Sequence, residues 1–259
     1  MLNKRLIGVV TVKNSWAVQS FGYHRYLPLG KPEVLVQNLD RWGADEILLH
    51  CIDRSHPVIG PDFELLRKVS DLGITTPLIY SGGIRDREDA LKVVSFGSDR
   101  VMIDALTKDA PAKVESIARV LGVQAVIANL PIRNTPEGLL LLDYRNGQEM
   151  PLAEMAKLLP LDWISELMLT DWCNEGHFEA FSMPLLAASD LLHKPLICFG
   201  GISNAHQIKA LFANDPVVAI GVGNFLNYRE HAIQDLKKDL VGAAIRPPHY
   251  ESSILCIRR

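Results

Sequence analysis

Cysteine is scarce in this chain. The four present, Cys51, Cys173, Cys198 and Cys256, show no CxxC or other ligand spacing. That excludes a disulfide framework or a structural zinc as the organising device, and no metal site is expected. No apolar run approaches the roughly 18 residues of a membrane-spanning helix, so no membrane partner is expected. Basic runs and basic–aromatic interleaving are also missing and the formal net charge is only −3, which argues against a nucleic-acid partner. The amino terminus, Met1-Leu-Asn-Lys-Arg-Leu6, enters a strand pattern at once. The expectation is a cytoplasmic protein without a signal peptide. What is plentiful is apolar residues, 48% of 259, enough for a large core.

The most informative stretch is written twice. Thr76-Pro-Leu-Ile-Tyr-Ser-Gly-Gly-Ile84 returns as Lys194-Pro-Leu-Ile-Cys-Phe-Gly-Gly-Ile202. Each copy is a short apolar strand, a Gly-Gly turn and a helix start, at Arg85-Asp86 or Ser203-Asn204, then a further apolar run. Upstream, Asp45-Glu-Ile-Leu-Leu-His50 pairs with Ser165-Glu-Leu-Met-Leu-Thr170. A duplicated βα pattern over this length implies an α/β fold, a (β/α)8 barrel with an internal two-fold half-barrel repeat. One barrel domain over 1–259 is expected, with half-barrels at about 1–122 and 123–240 and a tail at 241–259. A Gly-Gly turn ahead of a helix lets backbone N–H groups approach an anion. Glycines also simply make tight turns, but a symmetric pair favours two phosphate sites on one barrel face.

In chain order, the expected barrel strands are Arg5–Val12, Glu46–Ile52, Leu78–Tyr80, Arg100–Ile103, Gln124–Ala128, Glu166–Thr170, Leu196–Phe199 and Val217–Val222. The intervening helices are expected at Pro32–Trp42, Asp62–Leu72, Arg87–Phe96, Ala110–Leu121, Leu152–Leu159, Pro184–Leu192, Ala205–Phe212 and Tyr228–Leu240. Residues 13–31 read as a long loop, whose Trp16, Phe21, Tyr23 and Tyr26 either cover a ligand or pack on the barrel rim. Asn134–Gln148 reads as a hairpin-like insert. Gly223-Asn224 is placed to open a short phosphate-holding helix.

Leu2-Asn-Lys-Arg-Leu-Ile-Gly8, Gly43-Ala-Asp-Glu-Ile-Leu-Leu49, both Gly-Gly strands and Phe225-Leu-Asn-Tyr-Arg-Glu230 resemble the cyclase subunit of imidazole glycerol phosphate synthase, a lyase. The resemblance runs from Met1 to about Leu240. It implies ammonia taken from a glutaminase subunit docked under the barrel, and a phosphorylated small molecule bound at the mouth. The phosphate-side positions are Gly82, Gly83, Asp104, Ala105, Gly200, Gly201, Gly223 and Asn224.

The chain departs from that family where the chemistry lies. The family's acid/base aspartates ending the first and fifth strands are matched by Thr11 and Pro131, with Asn129 close by. Neither threonine nor proline does general acid–base work near neutral pH. Cys51 stands for a further aspartate, Gln19 for the first loop's lysine, and Cys173 for the acid before Asn174-Glu175-Gly176. At the other end, Arg5, Glu46, Arg100 and Glu166 match the family's charged ammonia gate, and Asp99 its contact with the glutaminase. Such a quartet can also plug a barrel bottom, the face that usually serves stability. Retaining four charges without the catalytic acids favours the conduit, since burying them costs several kcal/mol unless they are paired.

Other polar groups at the catalytic end are Lys13, Asp53, Arg54, His56, Asp171 and Cys173. Cys51 and Asp171 each follow their glutamate by five residues, Asp53 and Cys173 by seven. A Cys/Asp site on each half is one reading, and inert strand-end cysteines are the other. Thr11, Asn129, Cys51 and Asp171 are the candidate catalytic positions, no cofactor is expected, and the histidines read as structural or solvated. The resemblance extends to duplicates of the family in surface-polysaccharide gene clusters. There ammonia goes to the acetamido group of a nucleotide sugar, activated by an ATP-dependent sugar amidotransferase. A true histidine-pathway cyclase, a non-catalytic phosphate-binding scaffold and an isomerase of the sister family are the alternatives.

Overall fold

A computed structural model of the protein describes residues 4–54, 59–228, 231–240, 242 and 244–248. Eight parallel strands form the barrel: β1 (Arg5–Lys13), β2 (Glu46–Cys51), β3 (Leu78–Ser81), β4 (Arg100–Ile103), β5 (Val126–Thr135), β6 (Glu166–Asp171), β7 (Leu196–Phe199) and β8 (Val217–Val222). Each pairs with the next in sequence, and β8 closes on β1 from Arg5–Ala219 to Gly8–Val222. The expected (β/α)8 barrel is therefore the observed fold.

Strand residues alternate between two cores because successive side chains point to opposite sides of a pleated strand. One set fills the barrel, including Ile7, Val9, Leu48, Ile79, Met102, Ile127, Met168, Ile197 and Phe199. The other set, including Leu6, Val10, Leu49, Tyr80, Val101 and Leu169, packs under the helices with Val36, Leu66, Val93 and Ile117. Burial of each such aliphatic side chain stabilises by about 1.5–3 kcal/mol.

The first-half helices follow the expected spans to within a residue or two: Pro32–Arg41, Phe63–Ser70, Arg87–Ser95 and Pro111–Leu121. The second half is thinner. The helix expected at Leu152–Leu159 stops at Met155, five residues before Pro160, and the one expected at Pro184–Leu192 splits into a 3-10 turn, Met183–Ala187, and one α-turn, Ala188–Leu192. The last helix is Ala232–Asp239 rather than Tyr228–Leu240. The expected short helix after β8 is a 3-10 turn at Asn224–Asn227.

Residues 13–31 are not a structureless loop. Trp16–Phe21 and Arg25–Gly30 form an antiparallel hairpin that folds back from β1. Asn14 and Ser15 both have left-handed φ, 51° and 62°, the two-residue turn that matches strand twist. The insert after β5 is antiparallel as expected, with Gly138–Asp143 and Gln148–Pro151 extending the sheet, and β5 itself runs well beyond its expected end.

The duplication survives in three dimensions. A Cβ on Gly82 would lie 2.3 Å from the Cys51 carbonyl oxygen, and one on Gly200 would lie 2.5 Å from that of Asp171. Both glycines also have positive φ, 133° and 102°. Close approach to the neighbouring strand end requires glycine at each place.

The first and last described segments meet beneath the barrel. Lys4 bridges to Ile245, and the buried Lys237 ammonium donates to the Gly43 carbonyl and, at 2.8 Å, to Asp45. The rest of the tail, Cys256 included, lies outside the described residues. Lys237→Met strands the Asp45 carboxylate with the Leu6 N–H and Arg246 as partners. It should lower stability by about 3–5 kcal/mol, read from urea unfolding.

Candidate functional site

The strand pleat sends Arg5, Glu46, Arg100 and Glu166, each the first residue of its strand, into the barrel's N-terminal opening. They form a closed ring of alternating charge. Arg5 reaches Glu46 at 3.2 Å and Glu166 at 2.8 Å, and Arg100 reaches the same two at 3.3 and 3.0 Å. Burial alone would lower the Arg5 pKa, but the two carboxylates raise it instead. Glu46 is pushed up by its burial despite both arginines, and its Oε2 has no partner. Asp99 stands exposed at this end, its carboxylate accepting the Leu78 N–H.

At the opposite end a cavity of about 940 Å³ opens between the hairpin, the mouths of β2 to β6 and the insert after β5. It is lined by Gly82, Gly83, Asp104, Ala105, Asn129 and Cys51 among the expected residues, but not by Thr11 or Asp171. The Cys51 and Asp171 expectation is corrected by parity. Five residues after an inward glutamate is an odd offset, which turns a side chain outward. Cys51 packs in the outer core against the Tyr80 hydroxyl, and burial pushes its thiol pKa far up, leaving no thiolate. Asp171 braces its own loop, accepting from the Asn174 amide at 2.9 Å and the Ser182 N–H at 2.8 Å. Its pKa is raised by burial. The inward residues at these strand ends are His50 and Thr170.

Cys173 does line the cavity and is exposed, whereas Cys51 and Cys198 are buried, and all three are free thiols. Glu175 takes the Ser20 hydroxyl at 2.9 Å, and its carboxyl is pushed up by burial. Asp53 accepts from the Asn14 N–H at the hairpin turn, and Lys13 lies 3.7 Å over the Tyr26 ring. Gln19 is buried in the hairpin. His56 lies outside the described residues. Among the described residues no cluster of three or more His, Cys, Asp or Glu side chains could hold a metal ion, and no helix is long and apolar enough to cross a membrane.

The expected phosphate cradles differ from the symmetric pair. Neither following helix offers a free N-terminus: the Asp86 carboxylate accepts the Glu88 and Asp89 N–H groups, and the Asn204 side chain accepts that of Gln207. The first Gly-Gly pair faces the large cavity, beside Arg54, Arg85 and Lys113. The second, Gly200 and Gly201 with Gly223 and Asn224, borders a separate space of about 20 Å³. That is far less room than beside the first pair. Gly201 is covered by backbone, its carbonyl accepting the Ala180 and Phe181 N–H groups. The Asn224 amide is spent on the hairpin, binding both the N–H and the carbonyl of Ser20.

Along the cavity's inner wall, Thr170 donates to Asn129 at 2.6 Å, and Asn129 donates to Asp104 at 3.0 Å. Burial pushes the Asp104 pKa up to about 6, against the opposing pull of Lys108 and Asn129. Asp104 is thus the one lining carboxyl poised to exchange a proton near neutral pH. Sequence reasoning placed it with phosphate instead. His50, Trp172, Arg85, Lys113 and Arg145 also line the cavity and were missed. The even offset of His50 from Glu46 was a usable signal, whereas Lys113 and Arg145 come from a helix and a hairpin whose approach to the mouth is purely tertiary. Of the hairpin aromatics, Tyr23 and Tyr26 cover the cavity, and Trp16 remains exposed.

A closed barrel with an ion ring at its N-terminal opening and a large cavity at its C-terminal mouth defines the class: a (β/α)8 barrel protein with half-barrel duplication. The chain belongs to the histidine biosynthesis protein family, whose profile matches residues 6–232. It is 28% identical over 245 residues to the imidazole glycerol phosphate synthase subunit HisF of Parabacteroides distasonis, covering 93% of this chain and 96% of that one. It is 25% identical over 248 residues to the "Putative imidazole glycerol phosphate synthase subunit hisF2" of Vibrio vulnificus, covering 95% and 91%. The HisF subunit of Alkaliphilus metalliredigens is 25% identical over 244 residues, covering 93% and 96%. The chain is a divergent HisF-like member.

A carboxyl signal with a midpoint near pH 6 is expected in carbon-detected NMR titration, and Asp104→Asn should abolish it.

Proposed function

We infer that this barrel is the synthase-type subunit of a glutamine amidotransferase complex. A glutaminase-type partner docks at the ring end, against Asp99, and its ammonia passes along the barrel axis to an acceptor in the mouth cavity. The observation that carries this is the four-member ring. A plug needs no charge, because apolar side chains of similar volume serve stability as well or better than a buried ion pair. Four charges drawn from four strands around one opening instead suit a gate that admits a small polar molecule. Above them the barrel is lined by apolar residues such as Ile7, Leu48 and Ile127. Such a lining is far less hostile to neutral ammonia than to ammonium, because desolvating a charge costs far more than desolvating a neutral group.

The acceptor is not the histidine intermediate in this reading. Thr11 and Pro131 put no group that titrates near neutral pH at the positions of the cyclase acid/base pair, and the space beside the second Gly-Gly turn is the smaller of the two. Resemblance to duplicates in surface-polysaccharide gene clusters points to the acetamido group of a nucleotide sugar, with an ATP-dependent sugar amidotransferase as further partner. Among the described residues lining the mouth, Asp104 is the carboxyl whose pKa burial raises to about 6 and so the one assigned a proton, and the Gly82–Gly83 side of the cavity is where a phosphorylated ligand would be held.

The test is glutaminase turnover of the amidotransferase partner with and without this protein. Stimulation of about 5- to 150-fold is expected, the usual range of coupling between two sites. Glu46→Ala should remove it while Thr11→Ala leaves it intact. Stimulation that survives Glu46→Ala would overturn the conduit, and growth of a histidine auxotroph carrying this gene would restore the cyclase assignment.

A further inference from the structure

A groove of about 370 Å³ runs along the outside of the barrel, between the helix Pro32–Arg41 and the 3-10 turn after β8. Leu35, Asn38, Leu39 and Trp42 line one wall, the i, i+3, i+4, i+7 stripe of a helix face that packs on an apolar neighbour. Leu226 and Tyr228 line the other wall, and Val9 and Val10 of β1 lie between them. Close-packed proteins leave few voids larger than a water molecule, so a groove of this size within the helix layer marks a place for further side chains.

The path of the chain points to the occupant. The segment 244–248 starts out parallel to β1 from beneath it. The Lys4 N–H donates to the Ala244 carbonyl at 2.6 Å, and Lys4 is bridged to Ile245. Arg246 then reaches Asp45 at 3.5 Å, three residues on from Trp42 at the groove's lower end. Residues 249–259 lie outside the described residues. Their sequence holds one apolar block, Ile254-Leu-Cys-Ile257, between Glu251-Ser-Ser253 and Arg258-Arg259. The eight residues from Arg246 to Ile254 span up to about 26–29 Å, whereas the helix stripe from Leu35 to Trp42 is only about 10 Å long. The block therefore reaches the whole groove.

We propose that Ile254–Ile257 of this chain docks in the groove, laying its aliphatic side chains between the helix stripe and the turn after β8. A tethered segment competes at an effective concentration of about millimolar, which favours it over a free segment of similar composition. The docked block closes a strap. Residues 244–248 hold Lys4 and Asp45, which directly precede the ring residues Arg5 and Glu46. Seating the block draws that strap tight beneath the ring end. The inference goes beyond the conduit and needs neither a glutaminase nor a ligand in the mouth.

Oxidative cross-linking of the full chain tests it, using the native Cys256 thiol. Cys51 and Cys198 are buried, and Cys173→Ser removes the other exposed thiol. In that background, single variants Leu35→Cys, Asn38→Cys and Asn227→Cys place a partner in the groove, and Val120→Cys places one on an exposed face of another helix. A disulfide needs Cα atoms within about 4.4–6.8 Å. At least one groove position should form an intrachain bond to Cys256 at least about tenfold faster than Val120→Cys does. Leu255→Glu should bring that rate down to the control with the circular dichroism spectrum unchanged. It should also speed exchange of the Lys4 N–H by at least about threefold. The proposal is overturned if no groove position outpaces the control, or if Leu255→Glu leaves the cross-linking rate or the Lys4 exchange as it was. Covalent dimers in place of the intrachain bond overturn it in favour of a second copy of the chain.

Discussion

The pleat of a strand inside a closed barrel is the constraint from which the rest of this molecule follows. Because β1 to β8 are each covered on both sides, every side chain is committed either to the barrel interior or to the layer beneath the helices. Reading inward positions from bottom to top gives an ion ring, then an apolar stretch, then a polar mouth. On β2 this is Glu46, Leu48 and His50, and on β6 it is Glu166, Met168 and Thr170. The same parity carries Cys51 and Asp171 to the outside, where they pack and brace. One residue of register separates a candidate nucleophile from a structural thiol.

The two halves of the barrel have diverged in what they do with the same backbone. Gly82 and Gly200 meet equivalent carbonyls at nearly equal distances, so their identity follows from packing before any ligand is considered. In the first half the space beyond the turn stays open and collects Arg54, Arg85 and Lys113. In the second half protein fills the corresponding space. Gly176 lies so close to Ser20 that a Cβ would stand 2.1 Å from its carbonyl oxygen, and Glu175 and Asn224 fasten the same serine. The hairpin is thereby tied down on the side of β7 and β8, and its tip reaches over the open half, carrying Tyr23 onto the barrel core.

These arrangements place the molecule's polar investment at its two ends, with a dry interior between them. The ring pairs its charges with one another, with Glu46 Oε2 left without a partner. The mouth leaves polar atoms of Tyr23, His50 and Trp172 without partners, and burial pushes the Asp104 pKa up to about 6. Unsatisfied groups are tolerated where a partner arrives from outside.

The fold was legible in the sequence because it is carried by local and periodic signals. Apolar runs of strand length, proline at helix starts and the repeated Thr-Pro-Leu-Ile/Lys-Pro-Leu-Ile blocks each report on backbone within a few residues. The ring was legible as well, since first-of-strand positions share a level in a barrel. Three things were not. Residues 13–31 hid a hairpin, because the two-residue turn that folds its first strand back onto β1 is written Asn14-Ser15 rather than with glycine. The short second-half helices were overcalled from composition. Above all, which cradle stays open depends on where the hairpin and the loop after β6 meet, a contact between Ser20 and Asn224 that no local pattern encodes. The residues themselves determined barrel, duplication and ring; only long-range packing decided that one mouth cavity, lined from five strands, two helices and two hairpins, would become the site.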